Sequence, residues 1–238
     1  MRLLNCLPDG GFGLTSFDDD STPPYAILSH TWTEGQEVTY HELLAGTNTK
    51  KDGYAKIRFC GECAAKDGLE YFWIDTCCID TADKAEHSWA IRSMFRWYCS
   101  AAKCYVYLSD VSTRKRKRKR KRKRKRKRKR KRKRKRKRKR KRKRKRKRKR
   151  KRKGSITSSE ASWEPAFRST RWFKRGWTLQ ELIGPTTVEF FSQEGKKLGD
   201  KKSLQSLIYK TTGIPEAAKS RSVSRWLSQM VTYPSSLR

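Results

Sequence analysis

Continuous apolar runs alternate along this chain with stretches of helical period, and that alternation predicts the fold. Residues 25–32, YAILSHTW, follow Pro23 and Pro24 and have the pattern of a strand buried on both faces. VTYHELLAG at 38–46 predicts a short helix stopped by Gly46, and the residues before the prolines read as an N-terminal arm. The stretch 53–68, GYAKIRFCGECAAKDG, puts Tyr54, Ile57, Cys60 and Ala64 on one stripe and ends at Gly68, which predicts a helix of about four turns. LEYFWIDTCCI at 69–79 is an apolar run interrupted by Asp75, the pattern of a central parallel strand with a polar group at its C-terminal end. Residues 82–102 predict a helix carrying Ile91, Met94, Phe95 and Tyr98 on one stripe, and KCYVYLSDV at 103–111 predicts another buried strand.

Strand, helix, strand, helix, strand implies a parallel α/β sheet with right-handed crossovers. Farther on, residues 162–184 predict one or two helices, the second being RWFKRGWTLQELIG stopped by Gly184 and Pro185. A strand at 186–195 and a short amphipathic helix at 203–215 follow. In open α/β sheets ligands bind beyond the carboxyl ends of the strands, so the candidate positions are Ser29 and His30, residues 75–80, and Ser109 with Asp110.

Charge is exceptional in one segment. Residues 114–153 are a strict alternation of 20 Arg and 20 Lys, and they account for the whole net charge of +40, because 23 basic residues then face 23 acidic ones. Such a run has nothing apolar to bury and repels itself at every step, so it is expected to stay extended as an insert between 1–113 and 154–238. It would bind polyanions such as nucleic acid in a salt-dependent way and could direct an otherwise cytoplasmic chain to the nucleus. Its two-residue regularity points instead to an expanded DNA repeat or a gene-model error, because selection for charge tolerates any order of Lys and Arg.

The other 198 residues carry 8 Trp, 9 Tyr and 9 Phe, enough large apolar surface for one domain with a real core. No apolar run approaches the length of a membrane span, and MRLLNCLPDGG is too short in apolar residues for a secretory signal. The seven cysteines are expected as thiols. Cys60 and Cys63 form a CxxC on a predicted helix, but the adjacent Cys77 and Cys78 are a poor second pair for zinc, so core packing is expected and no metal site is assigned. No glycine-rich phosphate loop is present.

Four strings together resemble the fungal heterokaryon incompatibility (HET) domain: YAILSHTW, GYAKI followed by GLEYFWIDTCCID, SMFRWYCSAAKCYVYLSDV, and RWFKRGWTLQELI. The resemblance covers nearly all of the chain outside the Arg-Lys run. It implies a fungal protein of non-self recognition that triggers programmed cell death, working through self-association or another incompatibility protein. Two departures stand out. SWAIRSM places Trp89 where the family usually has Glu, and the sequence after SVSRWL diverges, so 154–238 reads as an incomplete C-terminal part in which Trp226, Leu227 and Met230 would pack poorly.

HET domains are similar in architecture to Toll/interleukin-1 receptor (TIR) domains, which implies a flavodoxin-like, TIR-like three-layer fold with extra helices. Some TIR domains cleave NAD, and WTLQEL at 177–182 looks like the context of their essential Glu. On that analogy NAD is a substrate, no cofactor is assigned, and Glu181 would orient a ribose hydroxyl and stabilise the cationic transition state. The alternative for Glu181 is an ion pair with Arg171, Lys174 or Arg175. His30 reads as a base or a hydrogen-bonded core residue, and Asp75 as a ligand-binding group or a cap. Ser29, Trp32, Asp80 and Trp177 are the candidate nucleotide-binding residues, the tryptophans having packing as their other reading. A non-enzymatic signalling module and a polyanion-binding protein are the rival functions.

Overall fold

The computed structural model describes residues 1–114 and 163–213. The Arg-Lys run beyond Arg114 and the segment holding Trp226, Leu227 and Met230 lie outside the described residues. Contacts group Met1–Ser112 and Pro165–Arg238 into one unit and Thr113–Glu164 into another, and the sheet and site described below belong to the first.

That unit is an α/β domain built on a seven-stranded mixed sheet. Its strands are β1 (Arg2–Cys6), β2 (Phe12–Ser16), β3 (Tyr25–His30), β4 (Tyr71–Trp73), β5 (Lys103–Leu108), β6 (Val188–Ser192) and β7 (Lys197–Asp200), in the spatial order β2-β1-β4-β3-β5-β6-β7. The middle four are parallel: β3 pairs with β4 on one side and β5 on the other, and β5 pairs with β6. All six residues of β3 are buried. The reason is its place in the middle with both faces covered, which is why its first four residues are an unbroken apolar run and its polar residues come only at the C-terminal end.

The helices are α1 (Tyr40–Leu44), α2 (Asp52–Lys66), α3 (Asp75–Cys78), α4 (Lys84–Ser100), α5 (Glu164–Ser169), α6 (Thr178–Ile183) and α7 (Gln205–Thr212). Thr39 and Glu42 close a reciprocal capping box on α1. Gly53 in the first turn of α2 donates its N–H to Gln36 O at 2.8 Å, and a Cβ there would stand 2.7 Å from Val38 N. Only glycine lets α2 meet the 36–38 loop this closely, and that loop carries Glu37.

Five expectations from the sequence need correction. The N-terminal arm is a hairpin: β1 pairs antiparallel with β2 and also with β4, burying Leu3 and Leu4 completely. The sheet is therefore mixed, and β7 adds a second antiparallel edge beside β6. The run 69–79 is not one strand, because after Trp73 the chain turns into α3, and Cys77 and Cys78 are buried from a single helical turn. On α4 the buried face is Ala90, Ser93, Trp97 and Tyr98, whereas Ile91 is 39% exposed. Small residues at 90 and 93 let the helix approach the sheet, and the Trp97 indole fills the space against Trp73, their centroids 5.5 Å apart. Finally, residues 171–184 are not one helix: a 3₁₀ turn at Arg171–Lys174 is separated from α6 by residues 175–177, the first of which, Arg175, has an extended backbone.

The cysteines are free thiols, with Cys60, Cys77, Cys78 and Cys104 buried. Burial pushes the Cys60 and Cys104 thiols well up and Cys63 to about 11, so these three are poor nucleophiles.

Candidate functional site

β3 ends at the centre of the sheet, and its last two side chains, Ser29 and His30, are buried. Ser29 Oγ accepts from Trp172 Nε1 at 2.7 Å and donates to Glu181 Oε2 at 2.8 Å. Trp172 is fully buried in the 3₁₀ turn, its ring packed edge-on against Phe173 and Phe190. Thr178 at the start of α6 donates its hydroxyl to Trp172 O, fixing the helix to the turn. This brings Glu181, 1% exposed, onto the end of β3.

Arg175 meets Glu181 with a two-pronged contact, Nη1 to Oε2 and Nη2 to Oε1, both 3.1 Å. Burial pushes the Glu181 carboxyl up, and Asp75 adds to the rise. Arg175 is the chief opposing influence, helped by Ser29 and His30. A carboxylate so placed is held by its partners rather than by water.

The His30 ring lies between two further carboxylates, with Nε2 3.4 Å from Glu37 Oε2 and Nδ1 3.9 Å from Asp75 Oδ1. Neither contact has hydrogen-bond geometry, and both ring nitrogens and Asp75 Oδ1 are buried with no hydrogen-bond partner among the described residues. Glu37 is better served. It accepts from Thr33 N at 2.8 Å and from Lys56 Nζ, which also donates to Thr31 O at 3.1 Å. Burial works to raise the Glu37 carboxyl, but His30 and Lys56 outweigh it and hold it at about 2. Asp75 Oδ2 accepts from the indole of Trp32 at 3.1 Å, and Trp32 itself is 52% exposed.

Ser29, His30, Trp32, Asp75 and Glu181 thus come together around the carboxyl end of β3. Among the described residues Asp80 has no hydrogen bond or ion pair to any of them. It faces His41 Nε2 at 3.3 Å and accepts from Ala82 N at 3.0 Å, organising the turn before α4. Trp177 stands at the start of α6, half exposed, with its carbonyl accepting from Glu181 N. Asp110 ties down the 3₁₀ turn by accepting from Thr170 Oγ1 and from Arg171 N. Of the two readings of Asp75, the cap is not realised among the described residues, where its side chain instead accepts from Trp32.

Glu37 and Lys56 were missed by sequence reasoning. A signal for Lys56 exists: with Gly53, Ile57, Cys60 and Ala64 it lies on the buried stripe of α2, and a Lys there requires a buried partner. Nothing comparable marks Glu37. Arg175 was one of three candidate partners for Glu181, and the break before α6 selects it.

Residues 25–181 match the heterokaryon incompatibility protein (HET) family, a span running from the first residue of β3 to Glu181. The chain is 45% identical over 194 residues to the vegetative incompatibility protein HET-E-1 of Podospora anserina, covering 81% of this chain and 11% of that protein. No solved structure matches. Two thirds of the sequence fits the family, from the central strand to the carboxylate that closes on it, and the chain belongs to the heterokaryon incompatibility family.

Proposed function

We propose that this chain acts in vegetative incompatibility, signalling cell death after non-self recognition, and that its domain does so by cleaving NAD. The incompatibility role rests on family membership and on the likeness to HET-E-1. The chain spans about a tenth of that relative, so the role concerns the domain and not the rest of the longer protein.

The observation that carries the enzymatic part is the buried Glu181 carboxylate against the end of β3, held by Ser29 and Arg175. Numbered by sequence, the four parallel strands run 2-1-3-4, which supports a flavodoxin-like or TIR-like winding, a fold whose switch point would fall between β3 and β5. In the reaction, water adds to the ribose C1′ of NAD. The C1′–N bond breaks with its electron pair going to the ring nitrogen, neutral nicotinamide leaves, and the water releases one proton to solvent. Glu181 would face the positive charge that builds on the ribose. Arg175 must first turn away, because the ion pair now occupies both carboxylate oxygens.

The test is nicotinamide release from NAD by the purified chain, with and without Glu181→Gln. Turnover is read rather than binding, since the Arg-Lys run attracts any phosphate. Loss of turnover in a folded Glu181→Gln protein supports the assignment, and turnover that persists removes Glu181 from the chemistry.

A second proposal has its own observation. With Ser29, Trp172 and Arg175 all engaged, Glu181 also suits a purely structural pin, and the domain would then signal by self-association. Assembly and toxicity without any NAD turnover would favour it.

A further inference from the structure

The charges clustered around β3 do not balance. Glu37, Asp75 and Glu181 are three carboxylates, the last two buried, while the buried Lys56 and the partly exposed Arg175 are two permanent cations. Lys56 is committed to Glu37 and Arg175 to Glu181. Among the described residues no Lys or Arg nitrogen lies within 4.0 Å of Asp75, whose neighbours are the Trp32 N–H and His30 Nδ1. Tyr98 from α4 also feels both Asp75 and Glu181 but brings no positive charge.

An uncompensated buried carboxylate is unfavourable, and a cation carried by a ligand would supply the missing charge. Three buried polar atoms without hydrogen bonds, His30 Nδ1, His30 Nε2 and Asp75 Oδ1, sit at that place. Trp32 supplies the second element of recognition. Its indole is tethered by its N–H to Asp75 yet half exposed, so an aromatic ring borders the carboxylate at the solvent side. A carboxylate beside an accessible indole suits a flat, delocalised cation, which gains from both the charge and the ring.

We propose that Asp75 and Trp32 form a subsite for a planar organic cation of the pyridinium type. This deepens the NAD proposal and rests on it for the identity of the natural ligand, which would be the nicotinamide ring. The ring carries its positive charge only before the C1′–N bond breaks. The subsite therefore favours substrate over product, and Asp75 contributes to binding and release rather than to the rate of bond cleavage.

The probes are 1-methylnicotinamide and its uncharged counterpart nicotinamide, titrated calorimetrically into the full 238-residue chain. The Arg-Lys run repels small cations, so it cannot create a preference for the charged probe. The charged probe is expected to bind at least about tenfold more tightly than the neutral one, the scale of one charge-assisted contact. Asp75→Asn should remove that preference, and Trp32→Leu should weaken the cation about threefold or more. Equal affinities in the unsubstituted protein would overturn the proposal even if Asp75→Asn fails to fold, as would a preference that survives in folded Asp75→Asn protein. NAD turnover is not involved: cation preference without NAD cleavage would leave the subsite standing and remove the enzyme, and cleavage without preference would do the reverse.

Discussion

Arg175 and Glu181 are six residues apart, farther than one helical turn brings side chains together, yet the guanidinium reaches both carboxylate oxygens at 3.1 Å. The extended backbone at Arg175, just before α6, makes this possible by letting the side chain double back. The two ends of the pair are unequal, because the Glu181 side chain is 2% exposed and that of Arg175 is 20% exposed.

That inequality sets the order of two substitutions. Arg175→Ala leaves a buried carboxylate without its cation and should cost about 3–5 kcal/mol, whereas Glu181→Gln leaves an Arg that can reach water and should cost less. Urea denaturation compares them. The sign of the pH effect follows from the raised Glu181 carboxyl: the folded state favours the protonated form, so its contribution is greatest at low pH and diminishes as pH rises above the ordinary value of 4.5. Arg175→Ala should make that decline steeper.

Glu37 works in the opposite direction. Its carboxyl is held at about 2 against an ordinary 4.5, so the stability it contributes is complete above 4.5 and is lost as pH falls toward 2. The loss should reach up to about 3 kcal/mol, and Glu37→Gln should flatten the acid limb of the stability curve between those values.

Lys56 and Glu37 should fail together rather than separately. Lys56→Met alone strands the Glu37 carboxylate and is expected to cost about 3–5 kcal/mol. The Lys56→Met, Glu37→Leu double variant should be closer to the parent than the Lys56 single variant. A double-mutant cycle that shows simple additivity would mean the two side chains do not depend on each other.

Gly53→Ala tests the seat of the Glu37 loop. The added methyl meets backbone on its closest side, Val38 N at 2.7 Å and Gln36 O at 2.8 Å, so relief requires moving the loop. A loss of about 1–3 kcal/mol is expected, far outside the range for an ordinary helix-surface Gly→Ala change.

How much of this the sequence disclosed depends on how many faces each element buries. YAILSH was legible because both of its faces are covered, and no periodicity had to be deciphered. TCCI was misread for the same reason, since a buried helical turn and a buried strand are equally apolar. The hairpin at 2–16 was missed although Pro8-Asp9-Gly10-Gly11 separates two short β-forming segments, a turn sequence of the expected kind with Gly10 at φ 84°. On α4 the eye follows Ile91, Met94 and Phe95, while the helix buries Ala90 and Ser93, because space beside Trp73 and not side-chain hydropathy decides its rotation. In the site, Ser29, His30, Asp75 and Glu181 were found from strand ends and from the family's strings. Glu37 and Lys56 needed the third dimension.

The tether between Trp32 and Asp75 also makes the protein its own optical and magnetic reporter. An indole donating to a carboxylate through Nε1 senses any change in that carboxylate's charge or occupancy, and Trp32 is half in water while Trp172, hydrogen-bonded to Ser29, is fully enclosed. With 5-fluorotryptophan in place of all eight indoles, the resonance that disappears in Trp32→Phe identifies the outer probe, and the one lost in Trp172→Phe the inner. Filling of the Asp75 side should shift the first line alone. Separation of Arg175 from Glu181 should register in the second, through Ser29, so the two halves of the site can be followed independently in one spectrum.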